Sequence, residues 1–194
     1  MSFTAQTAFE ARITNNSRDN LSHIAGQYFV STTPTDCDAG QLCTRDSLLP
    51  NEGFTGVYNE NTWKMVAATS SADANSVIFA CDTYDNQLLT APDGNHYFIG
   101  QQTLGLGVPA GRYGNFTRIN FDDESVYRFG AGNVTINTEG DEYFTIDAGK
   151  LTSVTAEPST AGAIYFKLRG TGVFVEGNSA SFAYYDLVAC KVVA

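Results

Sequence analysis

The sequence predicts an all-β protein, an antiparallel sandwich or barrel with an extended N-terminal arm. Three observations carry that reading. Apolar and polar residues alternate with period two along most of the chain after Asn51, as half-buried strands require. Gly-, Pro- and Asn-rich turn signals separate these runs at short intervals: Pro92-Asp93-Gly94-Asn95, Pro109-Ala110-Gly111, Gly130-Ala131-Gly132-Asn133, Gly140-Asp141, Gly170-Thr171-Gly172 and Gly177-Asn178-Ser179. The aromatic residues are unevenly spread. Residues 1–50 hold Phe3, Phe9, Tyr28 and Phe29 of the 24 aromatics in the chain, and the other twenty follow.

That gradient sets the predicted organisation, with residues 1–50 as an N-terminal arm and residues 51–194 as a β-rich domain. The arm carries much of its bulk as Ser, Thr, Asn and Asp, as in 14–20 and 31–36, so little burial offsets the entropy of ordering it. One short helix is expected around Thr4–Arg12. Tyr28-Phe29-Val30 is the segment of the arm that combines β propensity with apolar area, so these three residues are its expected partner-binding anchor.

In the body, Thr117, Ile119 and Phe121 oppose Phe116, Arg118 and Asn120. Phe144 and Ile146 alternate with Tyr143 and Thr145, and Ile164, Phe166 and Leu168 with Tyr165 and Lys167. In a last strand over 186–193, Val188, Cys190 and Val192 share a face. About a dozen short strands are expected, with no amphipathic helix after residue 50.

Composition narrows the partners. Eleven Lys and Arg against 21 Asp and Glu leave a net charge of −10. The cations are scattered rather than gathered in a stripe, which argues against a nucleic-acid partner. No apolar run approaches the roughly 18 residues of a membrane helix, so no membrane partner is expected. The N-terminal residues lack the basic-then-apolar layout of a signal peptide, which predicts synthesis in a cytoplasm.

No catalytic constellation stands out. His23 and His96 are the two histidines, and any triad would have to use one of them. Gly105-Leu-Gly107-Val-Pro-Ala-Gly111 is spaced one residue too long for a phosphate loop and leads into a strand, so it reads as a connection. The acidic groups Asp122-Asp123-Glu124 and Glu139, Asp141 and Glu142 read as solvated turn residues, and Asp82, Asp85 and Asn86 fit no known calcium loop. No catalytic residue, metal ligand or cofactor is assigned. Among the four cysteines, Cys81 and Cys190 fall on apolar strand faces and read as inert packing. Cys37 and Cys43 bracket an Ala-Gly turn. Three states are open to them: a disulfide, free thiols, or part of a zinc site that needs two further ligands, for which His23 is the nearby candidate.

Four segments carry a resemblance: Thr103-Leu-Gly-Leu-Gly-Val-Pro-Ala-Gly111, Tyr127-Arg-Phe-Gly-Ala-Gly-Asn133, Gly140-Asp-Glu-Tyr-Phe-Thr-Ile-Asp-Ala-Gly149 and Ala161-Gly-Ala-Ile-Tyr-Phe-Lys-Leu168. Over roughly residues 55–194 the chain resembles virion structural proteins of tailed bacteriophages, particularly capsid decoration or head-associated proteins. The resemblance implies a non-enzymatic β-rich body on the capsid surface of the virion, with an N-terminal arm docking on the major capsid protein. Other copies of the chain are a further expected partner. The alternative reading is a head- or tail-fibre adhesin domain that binds host-surface glycans through exposed aromatics.

Overall fold

The computed structural model describes residues 9–13, 23–49, 62–70, 76–82, 88–90, 96–98, 107–176 and 180–193. They form strands β1 (Phe9–Ile13), β2 (His23–Val30), β3 (Thr33–Pro34), β4 (Leu42–Leu48), β5 (Thr62–Ala67), β6 (Phe79–Cys81), β7 (Leu88–Thr90) and β8 (His96–Phe98). Strands β9 (Gly114–Arg118), β10 (Ser125–Gly130), β11 (Val134–Thr135), β12 (Tyr143–Asp147), β13 (Lys150–Val154), β14 (Ile164–Glu176) and β15 (Ala180–Lys191) follow. A single 3-10 turn, Ala131–Asn133, is the helical element among the described residues. The all-β expectation holds.

Two sheets carry the fold. Strands β2, β5, β4, β6 and β9 pair in that order, and β9 pairs back onto β2, closing a five-stranded barrel. Its β2–β5 pair is parallel and the other pairs are antiparallel. Closure leaves these five strands without a free edge in the barrel. The second sheet has the order β1-β10-β15-β14-β12-β13-β11. Strands β7 and β8 form a separate antiparallel pair.

Each sheet owns a core, and β4 and β6 serve both. Tyr28, Cys37, Cys43, Met65, Phe79, Cys81, Val108 and Phe116 fill the barrel. Leu42, Ala68, Ile78 and Ala80 lie on its outer wall, in one cluster with Phe129, Phe144, Phe166 and Leu187 of the second sheet. Along β4, Leu42 therefore points at the sheet and Cys43 into the barrel, as strand alternation demands. In β6 all three residues are buried for the same reason. The barrel is narrow. A Cβ on Gly26 would stand 2.5 Å from Met65 Cγ and 3.1 Å from the Trp63 carbonyl oxygen. Within the sheet core, Phe166 meets Phe121 and Phe129 edge-on, at centroid distances of 5.5 and 5.7 Å.

The structure corrects the expected boundary at residue 50. Residues 23–49 are not an appended arm, because β2 and β4 are two of the five barrel staves and Leu42 reaches the sheet core. Leu42 N–H donates to the Gly149 carbonyl at 2.7 Å, and the Ala68 N–H donates to the Leu42 carbonyl at 2.9 Å, so the segment is bonded into the body. The low aromatic content that suggested an arm has another cause. Small and sulfur-bearing residues of this segment (Gly26, Cys37, Cys43) pack beside the rings of Tyr28, Phe79 and Phe116 in the barrel.

The expected helix around Thr4–Arg12 is replaced over Phe9–Ile13 by strand β1, which pairs antiparallel with β10 in the register Phe9↔Phe129 to Ile13↔Ser125. Phe9, Ala11 and Ile13 alternate with Glu10 and Arg12, a period of two that fits the strand better than the helix. The rest of that expected helix, residues 4–8, lies outside the described residues.

The alternation read for Phe144 and Ile146 and for Ile164 and Phe166 matches their burial in the sheet core. In β15 the faces are reversed. Leu187 and Ala189 point into the core, and Cys190 is buried on the opposite side of the sheet. Both faces of β15 are covered near its end, so apolarity alone did not mark the core side.

Candidate functional site

The three residues expected to anchor a partner do not act together. Tyr28 is 5% exposed and belongs to the barrel core. Its hydroxyl accepts a hydrogen bond from Gln41 Nε2 at 2.7 Å, and burial raises its pKa from 10.0 to about 12. Phe29, the next residue, lies on the outer face, with the Lys64 ammonium 5.6 Å from its ring centroid. Val30 is 55% exposed and ends the strand at a turn that Ser31 makes with φ 58°. Tyr28 is thus a structural residue, which corrects its expected role. Val30 is the exposed member of the triplet.

Among the described residues, the far end of the β14–β15 hairpin stands apart in its pairing. Near its base, β14 is flanked by β12 through Phe144↔Phe166 and Tyr143↔Lys167, and β15 is flanked by β10 as far as Gly130↔Tyr184. Beyond those pairs the ladder continues from Val173↔Ala183 to Glu176↔Ala180. No further strand pairs with either side of it among the described residues. A register shift falls between Leu168 and Gly170, just past the last pairs of β14 with β12.

The root of the hairpin is held firmly. The Tyr184 hydroxyl is where a Cβ on Gly172 would fall, at 2.4 Å, so the ring lies directly over that glycine. On the other side, the Arg128 guanidinium carbon stands 3.7 Å from the Tyr184 ring centroid. The same guanidinium donates to both carboxylate oxygens of Asp186, at 2.8 Å each. This fork-to-fork pair fixes Arg128 as a flat platform under the tyrosine. The root is therefore rigid, while the sequence beyond it, Val173-Phe174-Val175-Glu176, carries a single charge. Val173 is 59% exposed.

The acidic groups have local work. Asp122 accepts from the Ser125 amide at 2.7 Å, the Glu124 amide at 3.0 Å and the Ser125 hydroxyl at 2.7 Å. Partial burial opposes the charge, but these donors win and hold its carboxyl below the usual range. Asp141 accepts from the Ser153 hydroxyl and the Thr138 amide. Glu157 accepts from the Tyr165 hydroxyl at 2.5 Å. These carboxylates hold turns and hairpins in shape. Among the described residues no group of three or more His, Cys, Asp or Glu is placed to hold a metal ion. Asp85 and Asn86 of the weighed calcium grouping, and Gly105 of the glycine loop, lie outside the described residues, as do the side chains of His23 and His96.

Cys37 and Cys43 are free thiols, both fully buried, with their sulfurs 4.0 Å apart. Cys81 joins them inside the barrel and donates toward the Cys37 carbonyl at 3.7 Å. Burial raises the thiol pKa of both Cys37 and Cys43. The buried positions of Cys81 and Cys190 agree with their reading as packing residues. Two features escaped the sequence reading: the third thiol, far along the chain, and the length of the β14–β15 hairpin. Gly170-Thr171-Gly172, expected to be a turn, instead lies within β14, which runs on through the uncharged Val173-Phe174-Val175.

Comparison with family models, with curated proteins and with solved structures finds no match.

Proposed function

We propose that the chain is a capsid decoration (cement) protein of a tailed bacteriophage, which binds the major capsid protein and stabilises the shell without catalysis. The observation that carries the reading is the ribbon at the end of β14 and β15, with which no further strand pairs among the described residues. A two-stranded ribbon is marginal in water on its own, and natural proteins guard bare strand edges with charge, proline or cover. This one carries Glu176 as its single charge over Val173–Glu176 and Ala180–Ala183 and is set on a rigid root. Such an element gains stability by adding itself to a sheet edge of a neighbouring protein, where backbone hydrogen bonds give affinity and alternate side chains give specificity. The sequence resemblance to virion proteins favours the shell as that neighbour. Docking accordingly shifts from the N-terminal segment, whose Tyr28 is occupied in the barrel, to this ribbon.

The test is occupancy of purified particles. Regularly spaced copies over the whole shell, lost in a Val173→Lys variant that still melts cooperatively, are the expected result. A few copies at a vertex or tail would favour the glycan-binding adhesin instead. Full shell occupancy by Val173→Lys would remove ribbon docking.

A further inference from the structure

The barrel interior gathers three of the four thiols of the chain in one apolar cluster, with Cys37, Cys43 and Cys81 all at 0% exposure. We propose that Cys37 and Cys43 are a latent disulfide pair. Reduced, they pack the barrel. In an oxidising medium they join and staple the turn between them to β4. The inference is independent of the capsid reading.

Geometry selects the pair. The two sulfurs are 4.0 Å apart, and a disulfide needs about 2 Å. Side-chain rotation with a small shift of the turn covers the difference. That turn is short and closed on itself: Gln41 N–H donates to the Asp38 carbonyl at 3.0 Å, and Gly40 takes φ +83°. Cys37 has fewer strand neighbours than the other two thiols, and its two backbone bonds to Val108 leave the side chain to rotate. It lies outside the named strands, in an isolated bridge to Val108, whereas Cys43 and Cys81 sit in β4 and β6 with neighbours on both sides. The Cys81 thiol is turned toward the carbonyls of Cys37 and Asp82, at 3.7 and 3.5 Å. It is close enough to compete and provides the internal control.

The chemistry balances with a low-molecular-weight disulfide, such as oxidised glutathione, as the oxidant. One cysteine thiolate attacks it, forming a mixed disulfide and releasing one small thiol. The second cysteine attacks the protein sulfur of that mixed disulfide and releases the other small thiol. Two protein thiols are oxidised, and one small disulfide is reduced to two thiols. Burial keeps both cysteines protonated, so closure waits on opening of the 36–40 segment and quickens as pH rises.

The experiment incubates the folded full chain in an oxidised glutathione buffer just below its melting transition, then acid-quenches, alkylates in denaturant and digests with trypsin. Cleavage after Arg18 and Arg45 leaves Cys37 and Cys43 on one peptide, Cys81 on the peptide ending at Arg112, and Cys190 on another. The expected product is the 19–45 peptide lighter by two hydrogens and unalkylated, with Cys81 and Cys190 fully alkylated. Oxidation should also raise Tm by roughly 5–9 °C, the scale for closing a seven-residue loop in a chain of this size. The Cys81→Ala variant should form the same internal link. Four alkylated thiols after oxidation, or a link between the 19–45 peptide and the peptide of Cys81, would overturn the assignment.

Discussion

Replacing Tyr28 tests whether residues 23–49 belong to the folded body or form a docking arm. The side chain is 5% exposed, packs with Cys43, Met65 and Phe116 inside the barrel, and accepts the Gln41 amide hydrogen at 2.7 Å. Removing a ring of this size from a closed interior costs the transfer of its apolar surface plus the cavity left behind, about 3–5 kcal/mol for large aromatic to alanine. Tyr28→Ala should lower Tm by roughly 6–20 °C, since about 1 kcal/mol moves Tm by 2–4 °C in a chain of this length. Tyr28→Phe keeps the ring and loses one hydrogen bond. Gln41 is half-buried and can turn to water, so about 0.5–1.5 kcal/mol is expected. Phe29→Ala, one residue along on the outer face, should cost less than Tyr28→Ala. Urea titrations of the three variants followed by tryptophan fluorescence give the order directly, because Trp63 packs against the barrel core. If Tyr28→Ala unfolds within about 0.5 kcal/mol of the parent, the ring does not fill a core, and the assignment of β2 as a barrel stave fails with it.

Two further outcomes follow from the geometry. Gly107→Ala should be severely destabilising, by about 2–4 kcal/mol: its Cβ would fall 1.7 Å from the Cys37 carbonyl oxygen, a backbone atom, and break the paired Cys37–Val108 hydrogen bonds of 2.8 and 2.9 Å. Gly170→Ala, with nothing within 4 Å, serves as the control and should melt like the parent; equal Tm values for the two would refute the bridge. Alkaline pH should unfold the protein early, because Cys190 is raised from 9.0 to about 12 by burial and then by Asp123, Tyr28 is raised from 10.0 to about 12, and Cys37 and Cys43 are raised by burial. The unfolded chain releases these protons first, so their contribution is intact below the unfolded thiol value and is lost as pH rises from about 9 toward 12. A Tm that stays level across that window would contradict the burial of these groups.

Strands β12 and β13 were legible because one face of each meets the core and the other does not. Phe144 and Ile146 then stand out against Tyr143, Thr145 and Asp147. The barrel was harder to read for a physical reason. Strand β6 and the first two residues of β4 are covered on both sides, so Leu42-Cys43 and Phe79-Ala80-Cys81 show no alternation to detect. Within residues 23–49 the barrel interior takes Gly26, Cys37 and Cys43 beside the single ring of Tyr28, so a folded segment looks sparse in aromatics. The thiol pair was visible as a spacing between Cys37 and Cys43. Its third neighbour was not, because Cys81 arrives through the β4–β6 pairing, a long-range contact that local pattern does not encode. The ribbon was hidden differently: both its strands read as ordinary, and what distinguishes them is where β10 and β12 stop.

The shared strands also explain why a surface ribbon and an interior thiol pair belong to one folding unit. Leu42 and Cys43 are consecutive, yet one touches the sheet core and the other the barrel core. The Gly149 N–H donates to the Ala68 carbonyl at 2.8 Å and the Gly149 carbonyl accepts from Leu42, so the β12–β13 turn is stitched to the barrel wall by backbone bonds. A change that loosens the barrel, such as loss of Tyr28, therefore reaches β12, and through the Phe144↔Phe166 pairing it reaches the base of β14. The root of the ribbon is clamped separately by Arg128, Tyr184 and Asp186. Barrel damage should thus lower stability as a whole while leaving the local ribbon geometry in the surviving folded molecules intact. Loss of docking together with an unchanged melt places the fault in the ribbon. Loss of docking that tracks the melt places it in the barrel.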